Sequence, residues 1–249
     1  MNNKVVLITG ALTGIGYATA LAFAREGANL VVSGRREEAG LALVTELRAL
    51  GAQAEFVRAD VRFESQVQNL VEQTVAKFGR LDVAVNNAGT EGRPTLVPEE
   101  TPENFEATFA TNVLGTLLSL KHEMRVMLTQ GSGAIINLSS IAGKIGVPGA
   151  SVYVASKHAV EGLTKCAALE GAASGVRVNA VAPGPIETEM FDRFTGGNEE
   201  FKKGLISAVP ARRIGRADEI AQTIVFLASD KAQYLTGQSL AVDGGFTSQ

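Results

Sequence analysis

Tyr153 and Lys157 lie four residues apart in a stretch of helical periodicity, so both side chains project from one face of a helix and can meet. A free phenol ionises at a pKa of about 10, too weakly to act as a base at neutrality, but a neighbouring positive charge stabilises phenolate and lowers that value. The pair could therefore move a proton. Y-x-x-x-K is equally the spacing of an ordinary helix-surface pair, and its surroundings must decide. Leu138-Ser139-Ser140 ends an apolar run upstream of Tyr153, and Asn86-Asn87-Ala88-Gly89 ends another. If those runs are parallel strands, both polar tails stand at carboxyl ends, where open parallel sheets bind ligands.

A third candidate for that edge is the turn Thr9-Gly10-Ala11-Leu12-Thr13-Gly14-Ile15-Gly16, between a first strand and a first helix. Glycines there let the backbone approach a pyrophosphate, and the helix N-terminus offers oriented N–H groups. The spacing G-x-x-x-G-x-G departs from the G-x-G-x-x-G dinucleotide fingerprint. At the end of the second strand, where a carboxylate normally binds the ribose hydroxyls of NAD, the chain has Ser33-Gly34-Arg35-Arg36. No acid repels a 2′-phosphate there and guanidinium groups can bind one, which favours NADP. The competing reading makes Arg35 and Arg36 a solvated helix start with Glu37 and Glu38.

The elements that must position these groups follow from hydrophobic patterning. Val5 to Thr9, Leu30 to Ser33, Asp82 to Asn86, Ala134 to Leu138, Arg177 to Ala182 and Ser239 to Val242 read as strands, within an expected total of about seven. Helices are expected at Gly14 to Glu26, after a cap at Ser65, from Thr101-Pro102 with interruptions towards Leu128, near Val152 to Ser174, and at Ala217 to Ser229. Strands alternating with helices imply an α/β fold, a doubly wound parallel sheet flanked by helices. No linker or repeat divides the chain, so residues 1–249 read as a single domain. Within it, residues 184–215 form a glycine- and phenylalanine-containing excursion, either packing locally or covering a pocket as a substrate-binding lid.

Composition narrows the function. Twenty-three Lys plus Arg against 26 Asp plus Glu give a net charge of −3, which leaves no footprint for nucleic acid or an anionic membrane. One cysteine, Cys166, cannot close an intrachain disulfide, and two histidines cannot supply a zinc cluster, so a reduced, cytoplasmic setting without metal is expected. Cys166 is expected to pack in the core and His158 to sit on a helix surface.

These motifs in this order resemble the classical short-chain dehydrogenase/reductase family over nearly the whole chain. Beyond the turn, the NNAG segment and the Tyr153/Lys157 pair, the resemblance rests on Asp60-Val61, Asn112, Ser140, Asn179, Pro183-Gly184 and Asp243-Gly244-Gly245. It implies a Rossmann-type seven-stranded sheet and a homotetramer in which the last strand and C-terminus help form a subunit contact. It further implies Tyr153 as catalytic acid/base and Ser140 as the hydroxyl that holds the substrate oxygen. Lys157 would lower the Tyr153 pKa and bind the nicotinamide ribose, and Asn112, at a helix irregularity, would hold a water leading from Lys157 to solvent.

For the cofactor, the resemblance implies Gly10, Thr13, Gly14, Ile15 and Gly16 at the pyrophosphate, Arg35 at the adenosine ribose, and Asp60 and Val61 beside adenine. Asn87 and Gly89 fall near the adenosine half, with Pro183, Gly184, Ile186 and Thr188 towards nicotinamide. Thr13 stands where NADP-preferring relatives often carry a basic residue, so NAD stays open as a second cofactor. Glu91, Val147, Met190, Phe191 and Phe194 occupy positions that shape the substrate pocket in the family, and Glu91 is also a candidate for a rim ion pair with Arg93.

The expected reaction is reversible interconversion of a small-molecule ketone or aldehyde and an alcohol, with NADP(H) as hydride carrier. Two enzymatic alternatives remain: a reductase of 3-oxoacyl groups on a carrier protein, which shares every motif, and a sugar or polyol dehydrogenase. The first is weakened by Leu169 and by the Met127–Gly131 segment, which lack the basic residues expected to meet an acidic carrier. A more distant alternative is a non-catalytic NAD(P)-binding sensor.

Overall fold

A computed structural model describes residues 1–249. Seven strands, β1 (Val5–Thr9), β2 (Asn29–Gly34), β3 (Ala54–Arg58), β4 (Val83–Asn86), β5 (Gly133–Leu138), β6 (Val176–Pro183) and β7 (Ser239–Val242), form one sheet in the order β3-β2-β1-β4-β5-β6-β7. Every neighbouring pair is parallel. Nine helices connect them: α1 (Gly14–Arg25), α2 (Glu37–Ala49), α3 (Glu64–Phe78), α4 (Pro102–Phe109), α5 (Gly115–Gln130), α6 (Ser151–Ala172), α7 (Glu189–Thr195), α8 (Glu199–Ala208) and α9 (Ala217–Ala228).

Strand side chains alternate between the two faces, and each face feeds its own core. Val6 and Ile8 of β1, Leu30 and Val32 of β2, and Val83 and Val85 of β4 pack with Phe23 of α1, Leu47 of α2 and Ile224 of α9. The intervening Leu7, Val31 and Ala84 pack with Leu70 of α3, Met127 of α5 and Ala168 of α6. Phe23, Leu47, Leu70 and Met127 are wholly buried, each contributing roughly 1.5–3 kcal/mol of transfer free energy. Burial from both sides is why the central strands read as continuous apolar runs.

The strand order reverses direction at β1, whose neighbours are β2 and β4. That junction leaves a crevice beyond the carboxyl ends, and the glycine turn, the NNAG segment and the end of β5 all open there.

Several local expectations need correcting. The strand that patterning did not locate is β3, a sheet-edge strand with only Ala54 buried. Helix α3 starts at Glu64 with Phe63 as its cap residue, not Ser65, and makes no side-chain cap bond. Asp82 stands one residue before β4, its backbone still bonded to Val5 O and Ala134 N; its carboxylate accepts from Val5 N at 2.8 Å and is gripped by Arg80. Cys166 is exposed rather than core, because α6 buries the stripe Val160, Thr164, Ala167 and Ala168 and Cys166 lies off it. The 184–215 excursion contains α7 and α8, capped by Thr188 and Asn198 respectively. No helix is long and apolar enough to cross a membrane.

Candidate active site

Helix α6 carries Tyr153 and Lys157 on one face, and the Lys157 ammonium lies 5.7 Å from the centre of the Tyr153 ring. Lys157 Nζ donates to the Leu138 carbonyl at 2.7 Å, which ties α6 to the end of β5. Ser140 follows that end and accepts a bond from Ala142 N at 3.2 Å, capping a single 3₁₀ turn, Ile141–Gly143. Tyr153, Ser140 and Lys157 therefore line one cavity of about 220 Å³.

The electrostatics of the site differ from the expectation that Lys157 depresses the tyrosine. Burial dominates: it pushes the Tyr153 phenol up to about 12, with the Ser140 hydroxyl acting in the opposite sense and the Glu91 carboxylate reinforcing the rise. Burial also lowers the Lys157 ammonium to about 8, opposed by the negative charge of Glu161. The phenol thus holds its proton at neutral pH.

Asn112 sits in a five-residue π-helical turn, Ala110–Leu114, between α4 and α5, so the expected irregularity is present. Thr101 caps the start of this segment by accepting from Asn104 N, as its Thr-Pro signature indicates. The Asn112 amide accepts from Thr90 N and donates to Thr90 O, both at 2.8 Å, and to Ser156 Oγ at 3.0 Å. It thereby clamps the chain after β4 to α6. It does not line the cavity itself, but Gly89 lies between it and Lys157: a Cβ there would come within 3.3 Å of Asn112 Oδ1 and 3.6 Å of Lys157 Nζ.

The glycine turn is built for close backbone approach. A Cβ on Gly10, whose φ is +62°, would fall 2.8 Å from Ala88 Cα, and one on Gly14 would press against Thr188. Gly16 faces Asn87, whose amide donates to Thr9 O at 3.1 Å and Gly10 O at 2.8 Å. Thr13, the cap position of α1, makes no side-chain cap bond, and the first turn of α1 contains no acidic residue. The leading N–H groups of α1 are thus neither capped by a side chain nor faced by a local acid, which fits a phosphate group.

The cavity brings together Ile15, Asn87, Gly89, Pro183, Gly184, Ile186 and Thr188 from the expected cofactor set, and all five expected pocket residues, Glu91, Val147, Met190, Phe191 and Phe194. Gly10, Thr13, Gly14, Gly16, Arg35, Asp60 and Val61 lie outside its lining, along the β1–β2–β3 side. Arg35 is exposed and makes no ion pair, and its charge helps lower the pKa of Asp60. The Asp60 carboxylate is bound by Arg62 at 2.6 Å, which keeps it ionised below the usual carboxylate range. Val61 is buried against Val67 and Leu118.

Three features escaped sequence reasoning. Leu205 of α8 and Phe246 near the C-terminus also line the cavity. Glu91 pairs with Arg193 of α7, at 2.7 Å, and not with Arg93. Beneath the site, Asn86 turns to the α5 side of the sheet, where its amide donates to Glu123 Oε2 at 2.9 Å and to Asn137 Oδ1 at 3.0 Å. Glu123 is 1% exposed, and burial pushes its carboxyl up to about 7 despite that bond.

Comparison with known proteins gives concordant matches. A family model described as Enoyl-(Acyl carrier protein) reductase matches residues 10–247. The chain is 44% identical over 249 residues to an A-factor type gamma-butyrolactone 1'-reductase (1S-forming) of Streptomyces virginiae, covering 99% of this chain and 96% of the relative. It is 43% identical to a 3-oxoacyl-(acyl-carrier-protein) reductase FabG of Staphylococcus aureus, covering 97% of each. Among solved structures, levodione reductase superposes with a TM-score of 0.97 at 35% identity, covering 100% of this chain and 99% of that one. ElxO with NADP bound superposes at 0.93 with 38% identity, covering 99% and 100%.

Proposed function

The chain belongs to the short-chain dehydrogenase/reductase family, and from that premise we propose that it is an NADP(H)-dependent enzyme interconverting a small ketone or aldehyde and the corresponding alcohol. The observation that carries this reading is a single cavity at the carboxyl edge of the sheet. Tyr153, Ser140 and Lys157 share it with Ile15, Ile186 and Thr188, which lie towards the glycine turn.

The residues present fit a dinucleotide. Gly10, Thr13, Gly14, Ile15 and Gly16 would receive the pyrophosphate, and the unpaired Arg35 a 2′-phosphate on the adenosine ribose. Asp60 and Val61 would flank adenine, Asn87 and Gly89 the adenosine half, and Pro183, Gly184, Ile186 and Thr188 the nicotinamide end. Bound there, the cofactor supplies or accepts the hydride. NADP is the preferred form in this reading, because no acid follows β2 to accept ribose hydroxyls; NAD is the secondary one.

In the reductive direction Ser140 Oγ donates a hydrogen bond to the substrate carbonyl oxygen and Tyr153 gives that oxygen its proton. A phenol held protonated by burial is suited to this donor role. Lys157 would bind the nicotinamide ribose and, as an ammonium, would stabilise the phenolate left behind. Asn112 keeps the segment Gly89–Glu91 in register with α6, next to the gap at Gly89 through which a water would reach Lys157. Residues 184–215, with α7 and α8, form a cover that excludes water from the transfer.

Changing Tyr153 to Phe tests the assignment. Loss of the proton donor should lower turnover by roughly 10²–10⁴-fold with NADPH affinity nearly unchanged. Turnover close to that of the wild type would reject the role.

A further inference from the structure

Only two of the residues that line the cavity carry a charge, Glu91 and Lys157. Lys157 donates to the Leu138 carbonyl and stands beside the tyrosine. Glu91, just beyond β4, is 9% exposed, and both its oxygens are held by Arg193 of α7: Nε reaches Oε1 at 2.7 Å and Nη2 reaches Oε2 at 3.3 Å. Arg193 itself is 58% exposed and lies outside the lining. This pair spans 102 residues of sequence and is the one side-chain bond that joins α7 or α8 to the β4 side of the cavity. The rest of the substrate end is carbon: Val147, Met190, Phe191, Phe194, Leu205 and Phe246.

Resting on the reaction proposed above, we infer that the Glu91–Arg193 pair sets the substrate class: the site takes uncharged carbonyl compounds with a compact apolar body and refuses those bearing a carboxylate. An anion entering the cavity would shed its hydration among aromatic and aliphatic walls, and the one cation of the lining, Lys157, is tied to the Leu138 carbonyl beside the tyrosine, away from the apolar end. It would also approach Glu91, whose charge already reaches across the space to the tyrosine oxygen. Arg193, the cation that would otherwise recruit an oxo acid at the cover, is occupied. Discrimination therefore comes from an element placed against the wrong ligand as much as from the apolar surface offered to the right one.

The test uses the NADPH-loaded enzyme and two inert rings of similar size, cyclohexanecarboxamide and cyclohexanecarboxylate, titrated at neutral pH with the fluorescence of bound NADPH as readout. The wild type should bind the carboxamide at least ~10-fold more tightly, the unfavourable charge contact setting the ratio. Glu91→Gln releases Arg193 and should bring the ratio to about one or invert it. Arg193→Gln leaves Glu91 unpaired and should weaken the carboxylate further, which keeps the question answerable if the first variant fails to fold. Equal affinities in the wild type, no carboxamide binding, an unchanged ratio in Glu91→Gln, or tighter carboxylate binding in Arg193→Gln would each overturn the inference. Turnover of cyclohexanone is followed separately. Its absence counts against the proposed reaction, whereas the titrations report charge discrimination without chemistry.

Discussion

Replacing Glu123 with glutamine should stabilise the protein increasingly as pH rises. The side chain is enclosed against the sheet and receives one hydrogen bond, from Asn86, but no cation partner. Its carboxyl is raised from 4.5 to about 7, so the folded state holds this proton more tightly than the unfolded chain. Stability from this group is fully present below the unfolded pKa and is lost as pH rises through about 7. A shift of that size corresponds to about 3 kcal/mol once the group is ionised in both states. Glutamine keeps an acceptor for Asn86 and never ionises, so its advantage over the wild type should grow by about 2–3 kcal/mol between pH ~5 and pH ~8.5. For a chain of this length that is a melting-temperature difference widening by roughly 5–10 °C. Calorimetric scans of both proteins at matched concentration across that range would measure it. Comparing slopes rather than absolute values removes any constant effect of fitting an amide into the site. Parallel curves for the two proteins would refute the reasoning, since they would mean that Glu123 ionises as easily folded as unfolded.

Arg35→Ala should weaken NADPH by about 10–100-fold, the worth of a charge-assisted contact to phosphate, while NADH changes little; equal losses in paired titrations would exclude the 2′-phosphate contact. Gly10→Ala places a Cβ against Ala88 Cα at a positive φ, so the turn must shift; backbone strain of about 1–2 kcal/mol is expected in thermal melts, together with weaker NADPH binding. Because Lys157 is depressed to about 8, its ammonium form prevails below that value and is lost above it. NADPH affinity should accordingly fall through that pH, and a Lys157→Met variant should show no such step.

What the sequence discloses follows from where the physical signal is local. Val5–Thr9 is buried along its whole length and announces itself; β3 is an edge strand whose Glu55 and Arg58 break the apolar run, and it does not. The Thr101-Pro102 start is a contact over three residues and is legible, whereas Cys166 depends on the rotational phase of a 22-residue helix whose buried stripe lies elsewhere. Helices α7 and α8 left only their caps, Thr188 and Asn198, as clues amid glycines that suggested irregular chain. Leu205 and Phe246 reach the cavity from elements whose placement patterning does not specify. The partner of Glu91 could not be found by proximity in sequence, which favours Arg93; only the fold brings Arg193 across.

The cavity has two halves of different mechanical origin. One is anchored to adjoining strand ends and to a long helix fastened beneath by Asn112 and Lys157; the other hangs from two short helices joined to the opposite rim by a lone ion pair. On the function proposed above, substitutions in the hanging half would change what is admitted without touching Tyr153, Ser140 or Lys157, so a descendant could acquire a new diet by rewriting about twenty neighbouring residues, 189–208, while keeping the proposed chemistry.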